Sequence, residues 1–411
     1  MSKNRNWFKI LAALGVLAVS GLIAVIVGLV MYVNAMAAPL HPQPQSAPSV
    51  TQPDPSPLWA EAVDRSRQVM RAALTEQNLP GLSVAVGVDG DVAWAEGFGW
   101  ADLKTPRPVT PATRFRIGTA STMLTSAGVG VLLDEGRLKL DDEIQTHVPQ
   151  FPKKSWPLTL RQVMGHRGGI GTDVEGDAPL SNQHCERPVD ALPQFADAAL
   201  LFEPGTQYRQ SNYGWILASA AVEAAAGQPF LTFMRERVFR PLGMNDTGAE
   251  SATKENPQDI GGPGEDPPPF RLIWELILEP LGFASPRARP ATDPAPFYVP
   301  GFGPEPVFRH GLHVRHPRNL SCYAGAKAFF STPSDLVRLG LALNSGKLLQ
   351  PATAQSLETP QQLTGELLGA KVASVMTVRD RGIVVAVTSN TSNADTATVA
   401  RKVAEAFAST R

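Results

Sequence analysis

The segment RFRIGTASTMLTSAG, Arg114 to Gly128, predicts the beginning of a long helix that starts after Gly118 and continues to Glu135. Apolar residues recur at helical spacing along its second half, and a glycine ends the pattern. Two threonines, Thr119 and Thr122, lie at the start of this helix, one turn apart.

The elements predicted around this helix define a fold class. The segment from Leu82 to Asp102 has the pattern of a β-hairpin that turns at Asp89-Gly90. Strands near both ends of the chain, with helices between them, predict an α+β fold of the α/β sandwich type. Its antiparallel sheet would combine N- and C-terminal strands, flanked by helices, with a mainly helical region inserted. The other predicted helices are Trp59–Asn78, Tyr213–Ala226, Pro229–Val238 and Thr396–Ala408, and the other strands are Ala370–Val378 and Gly382–Ser389.

Composition restricts the partners of the chain. Its 411 residues suffice for one large domain or two smaller ones, and the formal net charge is −1. Nucleic acid is not expected as a partner, because phosphate binding needs clustered positive charge. The seven histidines and two cysteines form neither HExxH nor CxxC, so we expect no metal and no organic cofactor. Cys185 and Cys322 are either a disulfide or two buried thiols.

Residues 1–37 predict an N-terminal membrane anchor. The run from Ile10 to Val33 is apolar or small except for one serine, which is long enough to span a bilayer as a helix. Three basic residues, Lys3, Arg5 and Lys9, precede this run and would keep that end in the cytoplasm. The alternative is a cleaved signal peptide, because AMAA at Ala35–Ala38 resembles a cleavage site. Either interpretation exports the remaining chain.

Two proline-rich segments interrupt the globular pattern. Residues 38–58 predict an extended spacer between the anchor and a domain over residues 59–411. Residues 256–318 predict a long surface insertion, because prolines at this density break both helices and strand ladders. A short apolar helix is predicted within it at Phe270–Leu278, packing on the domain or dipping into the membrane surface.

Six fragments together resemble one known family, the serine β-lactamase-like and penicillin-recognising enzymes, in the branch of the class C β-lactamases and esterases. The resemblance covers nearly all of Trp59–Arg411 and implies a β-lactamase/transpeptidase-like fold. The family brings three motifs into one pocket: Ser-x-x-Lys, Tyr-x-Asn, and Lys- or His-Thr-Gly. The fragments are PGLSVAVGVDG with its continuation to RFRIGT, VMGHRGGI, FEPGTQYRQSNYGW, VFRPLGMNDT, YAGAKAFFSTPSDLVRLG and RGIVVAVTSNTSNADT.

The first motif is degenerate. Alignment on RFRIG places Thr119 at the nucleophile and Thr122 at the lysine. Threonine keeps a hydroxyl but adds a methyl group that restricts χ1. The loss of lysine matters more, because a neutral hydroxyl becomes a useful nucleophile only beside a base. Ser121 lies about 200° around the helix from Thr119 and is expected to be structural.

The second motif aligns with Gln210-Ser211-Asn212. Gln210 replaces the tyrosine, and an amide does not relay a proton as a phenol does. Asn212 matches the family pattern and is expected to contact ligand. Tyr208 and Tyr213 lie nearby and are expected to pack rather than react.

The third motif is placed by the strand GAKVASVMTV that follows it. Leu363-Thr364-Gly365 then replaces His- or Lys-Thr-Gly, and the Glu366 N–H would complete an oxyanion hole with the nucleophile amide. In the alternative, TPQQLTGE is the preceding loop and the edge strand is absent. Both placements remove the polar side chain of the third motif.

The N-terminal apolar run predicts an exported, membrane-associated protein. The motif substitutions predict that its catalysis is impaired, with a retained pocket for a small-molecule or peptide ligand. The first alternative is an active hydrolase, an esterase, D-amino-acid peptidase or β-lactamase-like enzyme that uses Thr119. The second is an assembly module of the cell envelope. His166 in MGHRGGI, Glu203 and Asp335 are expected to have architectural roles.

Overall fold

The computed structural model describes residues 3–36, 38–52, 54–172, 180, 183–249, 294–300, 306–307, 310–315, 319–357, 360–367 and 369–410. The short helix predicted at Phe270–Leu278, like most of the predicted insertion, lies outside these residues.

The described residues form helices and strands that follow the predicted order. The helices are α1 (Lys3–Met36), α2 (Ala60–Glu76), α3 (Ser121–Asp134), α4 (Leu160–Met164), α5 (Asn212–Ala226), α6 (Phe230–Phe233), α7 (Ala324–Lys327), α8 (Pro333–Ser345), α9 (Pro351–Ser356) and α10 (Thr396–Ala408). The strands are β1 (Ser49–Thr51), β2 (Gly81–Val88), β3 (Asp91–Asp102), β4 (Arg107–Pro108), β5 (Phe115–Arg116), β6 (Gly248–Ala249), β7 (Tyr298–Pro300), β8 (Pro306–Val307), β9 (Leu312–Val314), β10 (Phe329–Ser331), β11 (Gln362–Leu367), β12 (Ala370–Val378) and β13 (Ile383–Ser389).

The central sheet confirms the predicted α+β architecture. Its strand order is β1-β3-β2-β13-β12-β11, with antiparallel pairing throughout, and β4 adds to β3. The N-terminal hairpin therefore pairs directly with the last strand of the chain, as predicted. The hairpin turns where expected, since Asp89 and Gly90 both have positive φ, 51° and 101°.

Helices cover both faces of the sheet. On one face α2 and α10 pack together, and the ring of Phe407 lies 5.4 Å from that of Trp59 and 6.1 Å from that of Trp94. On the other face α8 packs against β2 and β13 and joins the core of the helical region. The sheet therefore separates two cores, and the first predicted motif lies in the larger one.

The helical region is built around α3, α5 and α7. The Thr125 hydroxyl donates to the Gly325 carbonyl at 2.9 Å, and the Gly325 N–H donates to the Ser219 hydroxyl at 3.1 Å. These bonds tie α7 to both longer helices. Cys185 and Cys322 form a disulfide, which resolves the two interpretations that the sequence left open and fixes the short helical turn before α7.

The N-terminal proline-rich segment differs from the predicted spacer. Its residues 38–52 lie against the domain, where β1 pairs with β3 as an edge strand from Ser49↔Phe98 to Thr51↔Glu96. Ala47 is buried, and the Arg71 guanidinium donates to its carbonyl at 3.1 Å. Prolines suit an edge strand, because such a strand has one unpaired side. The domain therefore begins before residue 59.

Candidate functional site

The turn before α3 carries the candidate nucleophile. Gly118 to Ala120 form one 3₁₀ turn that continues into α3, and Thr119 is half-buried within it. Gly118 has a φ of 54°, and a Cβ at this position would lie 2.2 Å from the Glu366 carbonyl oxygen. Glycine is therefore needed on two grounds: its left-handed backbone and the close approach of β11. The first amides of a helix have no intrahelical acceptor, and Thr119 lies at this start.

Strand β11 contains the residues of the third predicted motif and forms the edge of the sheet. Leu363 pairs with Val375, and Thr364 pairs with Ser374 on β12. The register shifts between Gly365 and Glu366, which is a local bulge. Bulges redirect a strand and occur often beside active sites. Of the two placements considered for the sequence, the structure therefore has the one with an edge strand at Leu363-Thr364-Gly365.

Gly365 allows β11 to lie directly against the turn Gly118–Ala120 that carries Thr119. A Cβ at Gly365 would lie 2.1 Å from the Ile117 carbonyl oxygen and 2.7 Å from the Ala120 Cβ. No side chain fits in that space. The result is a direct contact: the Glu366 N–H donates to the Thr119 hydroxyl oxygen at 2.9 Å. A backbone donor of β11 thus points at the Thr119 hydroxyl, as one donor of an oxyanion hole would.

The position that the sequence analysis aligned with the family lysine is occupied by Thr122. The Thr122 hydroxyl donates to the Thr119 carbonyl at 2.9 Å, a bond within the helix turn. Ser121 is buried: it is 0% exposed, donates to the Gly118 carbonyl at 2.7 Å and accepts from the Phe329 N–H at 3.2 Å. Ser121 therefore holds the turn together, in agreement with the structural role predicted for it.

The second motif begins α5, which packs against α3. The Ser211 hydroxyl caps the helix by accepting from the Gly214 N–H at 3.0 Å. The Asn212 N–H donates to the Thr172 hydroxyl at 3.2 Å, and Asn212 is half-buried. Gln210 is exposed, and among the described residues no hydrogen bond joins its side chain to Thr119. A hydrogen bond thus joins Thr119 and Glu366 directly. The second motif is connected to Thr119 only through the packing of α5 against α3.

His166 supports the loop that carries the second motif. Its Nδ1 accepts from the Ser211 N–H at 3.1 Å, and its carbonyl accepts from the Arg209 N–H at 2.9 Å. The Trp215 Nε1–H approaches the other ring nitrogen at 3.3 Å. Burial lowers the pKa of His166 below its ordinary value of 6.5. The Ser211 N–H also favours the neutral ring, because an imidazolium has no lone pair on Nδ1 to accept this bond.

Lys327 is a charged residue near the site that the motif analysis did not select. It ends α7, which packs against the Gly118–Ala120 turn and against α5. A lysine within the apolar fragment YAGAKAFF was the sequence signal for it. That signal gives no position relative to Thr119, because the two residues are far apart in the chain.

The antiparallel sheet with flanking helices defines a protein of the β-lactamase/transpeptidase-like fold. The family model described as Beta-lactamase matches residues 66–408, so the chain belongs to the beta-lactamase family.

Individual relatives agree with this assignment. The human mitochondrial serine beta-lactamase-like protein LACTB is 27% identical over 281 residues, a match covering 51% of this chain and 51% of that protein. The chain thus spans about half the length of this curated relative. Among solved structures, the hydrolase EstCE1, with promiscuous acyltransferase activity, has a TM-score of 0.64 at 20% identity, covering 86% of this chain and 100% of its own. The D-amino acid amidase of Ochrobactrum anthropi SV3, complexed with D-phenylalanine, has a TM-score of 0.64 at 18% identity, covering 85% and 100%.

Replacing Gly365 by alanine tests the close approach of β11. Its backbone does not have a positive φ, so the added methyl group acts only through its contacts with Ile117 and Ala120. We expect Gly365→Ala to lower the free energy of unfolding by about 1–3 kcal/mol, measured by urea denaturation. Gly171→Ala is the control, because the described residues leave open space there, and its effect should stay within about 0.5 kcal/mol. Equal effects of the two variants would contradict this account of the site.

The lowered pKa of His166 predicts a pH-dependent stability. As the pH falls below 6.5, the unfolded chain binds a proton at this residue before the folded chain does, so stability decreases until the lower folded pKa is reached. His166→Asn removes the titration and tolerates the positive φ of 57°. We expect the wild type to lose more stability than this variant between pH 7.5 and 5.5, by about 1.4 kcal/mol per unit of pKa shift.

Urea denaturation at both pH values measures this difference. His41 also has a pKa lowered by burial, so its contribution is present in both proteins and cancels in the comparison. Identical pH dependence in the wild type and in His166→Asn would show that the folded ring is not held neutral.

Proposed function

We propose that the chain is an exported, membrane-anchored member of the beta-lactamase family that binds a peptide or a small acyl compound and turns it over inefficiently. The observation that carries this proposal is the pair of contacts made by the two threonines. The Glu366 N–H still reaches the Thr119 hydroxyl at 2.9 Å, whereas the Thr122 hydroxyl is bonded to the Thr119 carbonyl where a lysine amine would be needed.

The energetic consequence of losing the base is large. An alcohol is almost entirely protonated at neutral pH, and an adjacent base normally makes it reactive. Groups that act as one catalytic unit are not additive, so the loss of one removes most of the acceleration. An oxyanion hole and substrate binding alone retain roughly 10³–10⁴-fold over water in triad hydrolases. Slow turnover with intact binding is the expected phenotype.

The ligand class is proposed from the neighbours of the fold. One of them is a D-amino acid amidase complexed with D-phenylalanine, and another is a hydrolase with acyltransferase activity. Ligands of this kind share a carbonyl group that an oxyanion hole recognises through two backbone donors. We therefore propose N-acylated amino acids and short peptides as the compounds to test first.

Export is supported by the N-terminal helix and by the disulfide. Leu14–Met31 within α1 has a mean hydropathy of 2.7 and is long and apolar enough to cross a membrane. A signal sequence has the same length and apolar character. Basic residues on its N-terminal side favour a cytoplasmic N-terminus. The Cys185–Cys322 disulfide fits an oxidising compartment, where such bonds persist. The human relative is mitochondrial by name, so another membrane-bounded compartment is the alternative.

Intact mass spectrometry of the full chain in detergent tests impaired catalysis. The protein is incubated for a long period with a penicillin and, separately, with a fluorophosphonate probe. We expect no covalent adduct, because Thr119 has no base to activate it. An adduct on the unmodified chain that disappears in Thr119→Val would establish an active hydrolase with a threonine nucleophile, contrary to the proposal.

A restored variant shows whether the pocket itself is intact. It carries Thr119→Ser, Thr122→Lys and Gln210→Tyr, which return the family side chains to the first two motifs. Labelling of this variant with no labelling of the unmodified chain is the result that the proposal predicts. If neither protein is labelled although both are folded, the site has been remodelled and the proposed binding pocket is wrong.

A further inference from the structure

The first residues after α1 are bound to the domain. The His310 Nδ1–H donates to the Ala38 carbonyl at 3.0 Å, and the Leu40 N–H donates to the side-chain oxygen of Asn78 at 2.8 Å. The Leu40 side chain packs against a buried cluster that contains Tyr298. The chain is therefore fixed to the domain within two positions of the end of α1.

These contacts lie at one end of the central sheet. His41 is 3% exposed, and its Nε2–H donates at 3.0 Å to the carbonyl of Leu79, which lies two residues before β2 begins. The N–H of Tyr298, against whose cluster Leu40 packs, donates to the Asn390 carbonyl at 2.8 Å, and Asn390 directly follows β13. We refer to this end, where β2 begins and β13 ends, as the docking end of the sheet.

The candidate site lies at the same end. One row of paired residues crosses the sheet from the site to β2 and consists of Gly365, Ala373, Thr388 and Ser83. From this row β11 continues toward the docking end through Glu366, whose N–H donates to the Thr119 hydroxyl. Neighbouring strands lie about 4.8 Å apart, so β11 is three spacings, or about 14 Å, from β2. The site and the bound N-terminal segment therefore lie side by side.

The chain between α1 and the bound segment is short. The apolar part of α1 ends at Met31, and the helix continues to Met36. Five helical residues rise about 7.5 Å, and the two further positions to Ala38 span at most about 7 Å. With α1 across a membrane, Ala38 therefore lies within about 15 Å of the hydrocarbon core. A free proline-rich spacer over residues 38–58 would instead extend about 65 Å.

A connection of this length is shorter than the radius of the domain. The headgroup region already occupies about 5–8 Å beside the hydrocarbon core. A folded domain of this chain length has a radius of gyration of about 20 Å. A domain attached so closely contacts the bilayer, and the part nearest to the bilayer is the end of the sheet that carries the attachment.

We propose that residues 38–52 hold the domain on the surface of the bilayer that α1 crosses, with the docking end of the sheet toward the lipid headgroups. This inference rests on the membrane anchor of the proposed function and adds an interaction surface to it. The partner is the lipid surface itself. The candidate site around Thr119 is then at the membrane surface, and the turn between β2 and β3 faces away from it.

Labels near the two ends of one strand test this orientation. Cys185 and Cys322 are the only cysteines and are bonded to each other, so one introduced cysteine supplies a single free thiol. Lys371→Cys places a fluorophore near the start of β12, at the docking end, and Asp380→Cys is the control beyond its other end. Both residues are exposed, and the strand between them spans about 24 Å.

The full chain is reconstituted in phosphatidylcholine vesicles that contain a lipid with a nitroxide on its headgroup, which quenches fluorescence at close range. We expect the label at Lys371→Cys to be quenched and the label at Asp380→Cys to keep its fluorescence. A flexible insertion of about 20 glycine and serine residues between Ala37 and Ala38 adds about 25 Å of reach and leaves the contacts of residues 38–52 in place. It should abolish the quenching at Lys371→Cys, because the domain is then no longer held at the surface.

The other outcomes separate this inference from the proposed function. Equal quenching at both positions, or none at Lys371→Cys, would overturn the inferred orientation. Quenching that survives the insertion would show that residues 38–52 do not hold the domain there. In these cases the anchor still stands if the protein stays in the vesicles through an alkaline carbonate wash. Release by this wash would show that α1 is not an anchor, and the inference would then fail together with the membrane part of the proposed function.

Discussion

The close backbone approach between β11 and the turn before α3 is the constraint on which the site depends. It requires glycine at two facing positions, because a Cβ on Gly118 would meet the Glu366 carbonyl and a Cβ on Gly365 would meet that of Ile117. The contact connects the edge of the sheet with the first helix of the helical region. Any ligand that reaches Thr119 therefore lies between the two parts of the fold, beside backbone donors whose positions packing determines.

The main-chain groups and the side chains of the proposed site differ in how far they match the family pattern. In the proposed site, the donor for a negative oxygen is a main-chain N–H group, which persists as long as the fold persists. The groups that would activate a nucleophile are side chains, and we propose that Thr122, Gln210 and Leu363 do not supply them. This combination is the basis of our proposal that the protein recognises a carbonyl compound and cleaves it slowly.

Elements formed by residues close in the chain were predictable from the sequence. The hairpin at Asp89-Gly90 and the buried strands β12 and β13 have clear patterns, and motif order placed Thr119 and Glu366 at one site. Other features depend on contacts between distant residues that no local pattern encodes. The pairing of β1 with β3 joins residues almost 50 positions apart, so its proline-rich sequence indicated only a spacer. The packing of β10 on the turn before α3 depends in the same way on the bonds that Phe329 makes to Ile117 and Ser121.

Steady-state hydrolysis of p-nitrophenyl acetate tests most directly whether a working oxyanion hole remains without its base. The unmodified chain is compared with the folded variant carrying Thr119→Ser, Thr122→Lys and Gln210→Tyr. A general base usually contributes 10²–10⁴-fold, so we expect kcat/KM to rise by at least about 10²-fold in the variant. An unchanged kcat/KM in a variant with native stability would contradict the account, because the backbone donors would then be present without being able to support the chemistry.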